Sequence, residues 1–162
     1  MKEKRFAVYR LQKLVILPRI IGFDVLYFRN EDYTTVINLT KREYRILLSR
    51  VKFLRKLPWI FYLHQDDLDG QLEQILKELK LKVNNKNLFS RCSNCNNFLQ
   101  EIHEEKITRK ISSEVRGKGY WFKICLNCGI IFWNGNHIQT LEKKLKKIGV
   151  IKEKDENIRE FK

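Results

Sequence analysis

The chain has 162 residues, with 33 Lys and Arg against 19 Asp and Glu, for a formal charge of +14. That length holds one sizeable core plus a small stapled module, which excludes a large multidomain enzyme. No stretch is apolar for long enough to cross a bilayer as a helix, and the basic residues do not line one long amphipathic helix, so the charge points to nucleic acid ahead of a membrane surface.

Met1 runs straight into the charged Lys2-Glu3-Lys4-Arg5 without an apolar leader, so a cytoplasmic, reducing location is expected. Short apolar runs then alternate with helical patterns, the order of an α/β domain with a mainly parallel sheet. Strands are predicted at Arg5–Tyr9, Asp24–Phe28, Arg45–Ser49 and Trp59–Leu63. Helices are predicted at Leu11–Ile21, Asp32–Arg42, Val51–Leu57 and Leu68–Leu81, the third stopped by Pro58. In the fourth, Leu72, Ile75, Leu76 and Leu79 share one face. Pro18 removes a helical hydrogen bond at a cost of about 3 kcal/mol, so a kink or an early end of the first helix is expected, with Gly22 as its cap. The polar stretch Lys82–Asn87 is a linker.

All four cysteines fall in two Cys-x-x-Cys knuckles, Cys92-Ser93-Asn94-Cys95 and Cys125-Leu126-Asn127-Cys128. Two residues between thiolates let both sulfurs face one ion, and two such pairs complete the tetrahedral shell of a structural Zn²⁺ with no position left for water. An iron–sulfur centre and a redox pair are the competing uses of this spacing. The long stretch between the knuckles suits a β-rich zinc ribbon. Its strands are predicted in Tyr120-Trp121-Phe122-Lys123-Ile124 and Ile130-Ile131-Phe132-Trp133. Tyr120, Trp121, Phe122 and Trp133 either stack on unpaired bases or fill the ribbon's small core, and core is expected for at least half of them. Beyond the ribbon, Ile138–Ile148 reads as a helix with Leu141, Leu145 and Ile148 inward and Lys143, Lys144, Lys146 and Lys147 outward, capped by Gly149. The expected organisation is an α/β domain over 1–87, a zinc ribbon with C-terminal helix over 88–150 and a charged flexible tail over 151–162.

From about Arg5 to His137 the chain resembles the Mut-7-type C-terminal ribonuclease domain. The most specific residues are Phe89-Ser90-Arg91-Cys92-x-x-Cys95-Asn96, Cys125-x-x-Cys128-Gly129 and Trp133-x-Gly135-x-His137. Leu11-x-Lys13-Leu14, Ile21-Gly22-Phe23-Asp24 and Arg45-Ile46-Leu47-Leu48-Ser49-Arg50 match landmarks of its first half. The resemblance implies a PIN-like three-layer domain followed by a zinc ribbon, and RNA cleavage by Mg²⁺ or Mn²⁺ held on carboxylates at strand ends. Two of the implied ligand positions hold other residues: Tyr9 stands where an aspartate ends the first strand, and Val51 where another follows Ser49-Arg50. Asp24, Glu31 and Asp32 are the residual acids. Asp32 also suits the N-terminus of a helix, Asp24 the turn after Gly22, and His137 a structural place in the ribbon or an RNA contact.

These departures imply a nuclease scaffold that binds RNA without cutting it. The expected ligand is structured RNA, ribosomal or transfer, and an accessory ribosomal protein with ribosomal proteins as neighbours is the sharpest form of the expectation. Phosphate contacts are expected at Arg50, Lys52, Arg55 and Lys56 beside the former active-site edge and at Arg91, Arg109, Lys110, Arg116 and Lys118 in the ribbon's loops. Lys143, Lys144 and Lys147 of the last helix complete the set. The alternatives are a metal-dependent ribonuclease using Asp24, Glu31 and Asp32 as displaced ligands, and a protein-interaction adaptor built on the ribbon.

Overall fold

The computed structural model describes residues 4–149, without the side chains of Asn85 and His137. The predicted tail lies outside the described residues. The chain divides into two compact units, Met1–Asn96 and Asn97–Lys162.

In the first unit, strands β1 (Arg5–Tyr9), β2 (Asp24–Phe28), β3 (Arg45–Ser49) and β4 (Ile60–Tyr62) form a sheet of order β2-β1-β3-β4, parallel at every pairing. Helices α1 (Gln12–Ile20), α2 (Tyr33–Arg42) and α3 (Leu68–Glu78) cover it on both faces. The alternation of side chains along β1 decides which face each helix covers. Phe6 and Val8 join Val25, Leu48, Leu14 and Val15 of α1 and Ile75 of α3. Ala7 and Tyr9 face the other way, onto Phe28, Leu47 and Val36 of α2. The result is three layers, as the PIN-like expectation requires.

The strand boundaries match the sequence closely, while helix ends differ where local chemistry intervenes. Helix α1 does not break at Pro18 but continues to Ile20, and Pro18 forgoes only the bond to the Leu14 carbonyl. The helix is closed by a Schellman pair, Gly22 N–H to the Arg19 carbonyl (3.0 Å) and Phe23 N–H to the Pro18 carbonyl (2.9 Å), with Gly22 at φ 97°. A Cβ on Gly22 would lie 2.6 Å from both the Cβ and the carbonyl oxygen of Asn87. Gly22→Ala is therefore expected to cost at least about 1–2 kcal/mol from the left-handed backbone alone, read as a lower urea midpoint at unchanged slope. The short helix predicted at Val51–Leu57 is a 3₁₀ turn over Lys52–Lys56. Helix α3 ends at Glu78, before the predicted Leu81, because Lys80 turns left-handed at φ 49°. Leu79 and Leu81 nevertheless pack on the core, which is why the apolar period reads past the end of the helix. The predicted linker contains a 3₁₀ turn at Asn85–Asn87.

The second unit holds the antiparallel sheet of β5 (Gln100–Glu101), β6 (Phe122–Ile124) and β7 (Ile131–Trp133), followed by α4 (Asn136–Lys147). Its apolar centre is Ile107, Ile111 and Phe122, with Ile102, Val115, Tyr120, Ile131 and Trp133 packed around them. Three of the four aromatics considered for stacking, Tyr120, Phe122 and Trp133, thus belong to core. Trp121 lies outside that cluster with the Lys123 ammonium 5.7 Å from its ring centre. On α4, Leu145 is fully buried and Leu141 and Ile148 half-buried, while Lys143, Lys146 and Lys147 are exposed and Lys144 half-buried.

Candidate functional site

The two knuckles share one local construction. The Asn96 N–H donates to the Cys92 carbonyl at 2.9 Å and the Gly129 N–H to the Cys125 carbonyl at 2.8 Å. Asn96 (φ 68°) and Gly129 (φ 76°) are both left-handed, a conformation that glycine and asparagine adopt most readily. No disulfide joins the cysteines, and the four sulfurs lie within 4.8 Å of one another. A tetrahedral ion with sulfur ligands at about 2.3 Å has sulfur–sulfur edges of about 3.8 Å, so the donor set fits such an ion with small adjustments. Cys92 and Cys125 are buried and Cys95 and Cys128 half-buried. Among the described residues no other group of three or more potential metal ligands comes together.

The first knuckle is braced by a polar framework that the sequence pattern does not reveal. Buried Arg19, on α1, donates to the carbonyls of Ser93 (3.0 Å) and Asn94 (2.6 Å) and, from its other edge, to the Val25 carbonyl (3.0 and 2.8 Å). One guanidinium thereby ties the tip of the knuckle to β2. Arg91 donates to the carbonyls of Gly22 (3.3 Å) and Asn96 (3.0 Å), and Asn96 accepts the Val25 N–H at 3.0 Å.

Asp24 anchors this framework. The parallel register sets Asp24, Arg5 and Arg45 side by side at the amino ends of three neighbouring strands. Asp24 accepts from Arg45 (2.9 and 3.1 Å), Arg5 (3.0 Å) and Asn96 (2.7 Å), and Glu43 takes the remaining edge of Arg45 at 2.7 Å. Burial alone would raise the Asp24 carboxyl, but the hydrogen bonds from Arg45, Asn96 and Arg5 outweigh it and hold the group well below the usual carboxylate range.

The opposite, carboxyl edge of the sheet is where open α/β sheets place their ligands, in the crevice where strand order reverses. Here that crevice lies beside β1, which has β2 on one side and β3 on the other. The strands end there in Tyr9, Phe28, Ser49 and Tyr62. Tyr9, buried, donates its phenol to the Glu31 carbonyl at 3.2 Å and meets Tyr33 edge-on at 5.4 Å. Burial raises its pKa, so the phenol stays neutral and offers no anionic oxygen to a cation. Tyr33 in turn meets Phe53 at 4.7 Å, and the Arg10 guanidinium lies 4.9 Å from the Tyr9 ring centre and 5.7 Å from that of Tyr33.

The residual acids are not brought together. Asp24 is at the amino edge, whereas Glu31 and Asp32 follow β2 at the carboxyl edge. Asp32 is the N-cap of α2, accepting from the Thr35 N–H (2.9 Å) and hydroxyl (2.5 Å), and these bonds lower its pKa. The Glu31 carboxylate accepts the Asn30 N–H at 3.0 Å. Among the predicted phosphate contacts, Arg50, Lys52, Arg55 and Lys56 are exposed at the carboxyl edge, Arg50 paired with Asp66 and Arg55 5.5 Å from the Tyr62 ring centre. Arg109, Lys110, Arg116 and Lys118 are exposed in the loop between β5 and β6, with Arg116 also donating to the Ile111 carbonyl (3.0 Å). Lys143 and Lys147 are exposed on α4 and Lys144 is half-buried. Arg91 differs from the expectation: its side chain is buried in the knuckle framework, where its guanidinium bonds two backbone carbonyls. The side chain of His137 lies outside the described residues. Sequence reasoning missed Arg10, Arg19, Tyr33, Phe53 and Asp66; the interleaving of Phe53 with Lys52, Arg55 and Lys56 was the available signal for one of them.

The family model described as Mut7-C RNAse domain matches residues 4–145. No curated protein and no solved structure gives a match.

Proposed function

The chain belongs to the Mut7-C RNAse domain family, and from that membership we propose that it binds structured RNA without cleaving it, as an accessory component of the ribosome or another ribonucleoprotein particle. The carboxyl edge carries this reading. Its strand ends hold aromatic and hydroxyl side chains where a two-metal or one-metal nuclease needs converging carboxylates, and its surface is lined by Arg50, Lys52, Arg55 and Lys56. Carboxylates repel phosphate, so their replacement favours RNA retention at the same crevice. In this reading Cys92, Cys95, Cys125 and Cys128 hold a structural Zn²⁺, which supplies no chemistry to RNA and shapes the ribbon that presents Arg109, Lys110, Arg116 and Lys118.

Sedimentation of the tagged protein from a native lysate, with sequencing of the accompanying RNA, tests the proposal. The expected result is co-sedimentation with one ribosomal subunit or one discrete RNA, lost as salt rises. For the purified pair, replacing Lys52, Arg55 and Lys56 together by Ala is expected to reduce the slope of log K against log salt by about two to three. A protein that sediments free of RNA, or a slope that the triple variant leaves unchanged, would overturn the assignment of this edge.

A metal-dependent ribonuclease is the second reading, favoured by one observation: Glu31, Asp32 and Asp66 are exposed on segments that follow strand carboxyl ends. It requires RNA cleavage in Mn²⁺ that Asp32→Ala abolishes. Equal survival of RNA with wild type and variant disposes of it.

A further inference from the structure

We propose that Phe53, backed by Tyr33 and the buried Tyr9, forms a stacking platform for one unpaired RNA base at the carboxyl edge, with flanking phosphates held by Arg10, Lys52, Arg55 and Lys56. The inference rests on the RNA-binding reading and deepens it by naming the part of the RNA that this edge receives.

Phe53 is 61% exposed, a large apolar ring left on the surface of a short 3₁₀ turn. Its neighbour Leu54 is buried and anchors that turn to the body. The ring is held from behind: Tyr33 meets it at 4.7 Å with planes at 85°, and Tyr33 is itself set edge-on against Tyr9. Tyr9 is held in place, being 1% exposed and hydrogen-bonded to the Glu31 backbone. The three rings come from the ends of β1, the start of α2 and the turn after β3, so a rigid support stands behind a single open aromatic face. An ordered platform of this kind binds a base with little loss of side-chain freedom.

The chemistry around the ring distinguishes a base from a protein partner. Lys52, Arg55 and Lys56 lie in the same turn as Phe53, and Arg10 sits over the rings from the end of β1. An apolar face with a cationic rim matches a flat base whose backbone is anionic on both sides, and every base offers such a face. Arg50 offsets the charge of Asp66, and the Asp32 carboxylate is turned onto the first turn of α2 by its two bonds from Thr35. Stacked bases inside a perfect duplex hide their faces, so the site selects a single strand or a base bulged from a folded RNA.

The test uses the full chain and three fluorescein-labelled RNA probes: a single-stranded 12-mer, a blunt duplex, and that duplex with one bulged nucleotide, each titrated by anisotropy. Phe53→Ala is expected to weaken the single-stranded or bulged probe about tenfold, leave the blunt duplex unchanged and preserve the salt slope, while Phe53→Tyr retains affinity. Dependence on Phe53 only in the bulged probe assigns the base to folded RNA, and dependence in the 12-mer assigns it to an open strand. Equal affinity of wild type and Phe53→Ala for both probes with an unpaired base would overturn the platform while leaving RNA binding intact. Failure of wild type to bind any probe would remove both. Phe53→Trp gives a second readout: its fluorescence is quenched by bound single strand if a base stacks there, and an unchanged emission at saturation rejects the proposal.

Discussion

Chelation of the Zn²⁺ proposed for the four cysteines is expected to unfold the second unit while β1–β4 keep their fold. Four thiolates can be converged only in the folded chain, so the free energy of binding is free energy of folding, about 10–16 kcal/mol apparent for structural zinc in small modules at neutral pH. The second unit has little to replace it. Its apolar centre has Ile107, Ile111 and Phe122 as buried members, its strands span two or three residues, and small modules of this kind depend on a staple. The first unit buries two clusters on the two faces of a four-stranded sheet. Elemental analysis should find one zinc per chain. Amide spectra after a strong chelator should lose the signals of β5–β7 and retain those of β1–β4, and Cys125→Ser should reproduce that pattern. A chelated protein with unchanged spectra would mean that the cysteine cluster is not what holds the ribbon.

Asp24→Ala is expected to remove about 3 kcal/mol of stability without touching any residue of the carboxyl edge of the sheet. The side chain of Arg45 is 4% exposed and loses its bidentate partner, and a buried ion left unpaired costs about 3–5 kcal/mol. The low end applies because Glu43 still holds the Arg45 Nε at 2.7 Å. The same substitution takes the carboxylate from Asn96, so the first knuckle loses one of its ties to β2. Urea unfolding of the first unit measures the loss. The pH dependence follows from the depressed pKa of Asp24. Its contribution is fully present above the unfolded value of about 3.9 and is lost as pH falls toward the folded one, so the wild type should destabilise below about pH 4 more steeply than Asp24→Ala. Parallel acid profiles for the two proteins would show that the carboxylate is not the stabilising group.

The parts of this protein that were legible in the sequence are those written in local pattern. β1 alternates Phe6 and Val8 with Ala7 and Tyr9, and that period gives both the strand and its two faces. Cys-x-x-Cys followed by Asn96 or Gly129 gives the knuckles, because thiolate spacing and a left-handed residue are local requirements. Asp32 at the head of α2 is a cap by residue type alone.

Contacts between residues distant in the chain were not legible. Arg91 and Arg19 look like any other surface cation in the sequence, and only the folded chain shows that the one bonds a carbonyl at position 22 and the other carbonyls at 93 and 94. Asp24 reads as a turn residue or a spare metal ligand until the parallel register sets it beside Arg5 and Arg45, at the end of the sheet away from Glu31 and Asp32. Residue type and spacing thus determined the elements and the pairing of the four cysteines into two knuckles. Tertiary structure alone decided which cations are buried as braces and which rings converge beside β1, because burial and ring contact depend on strand order and register, and no short window of sequence carries either.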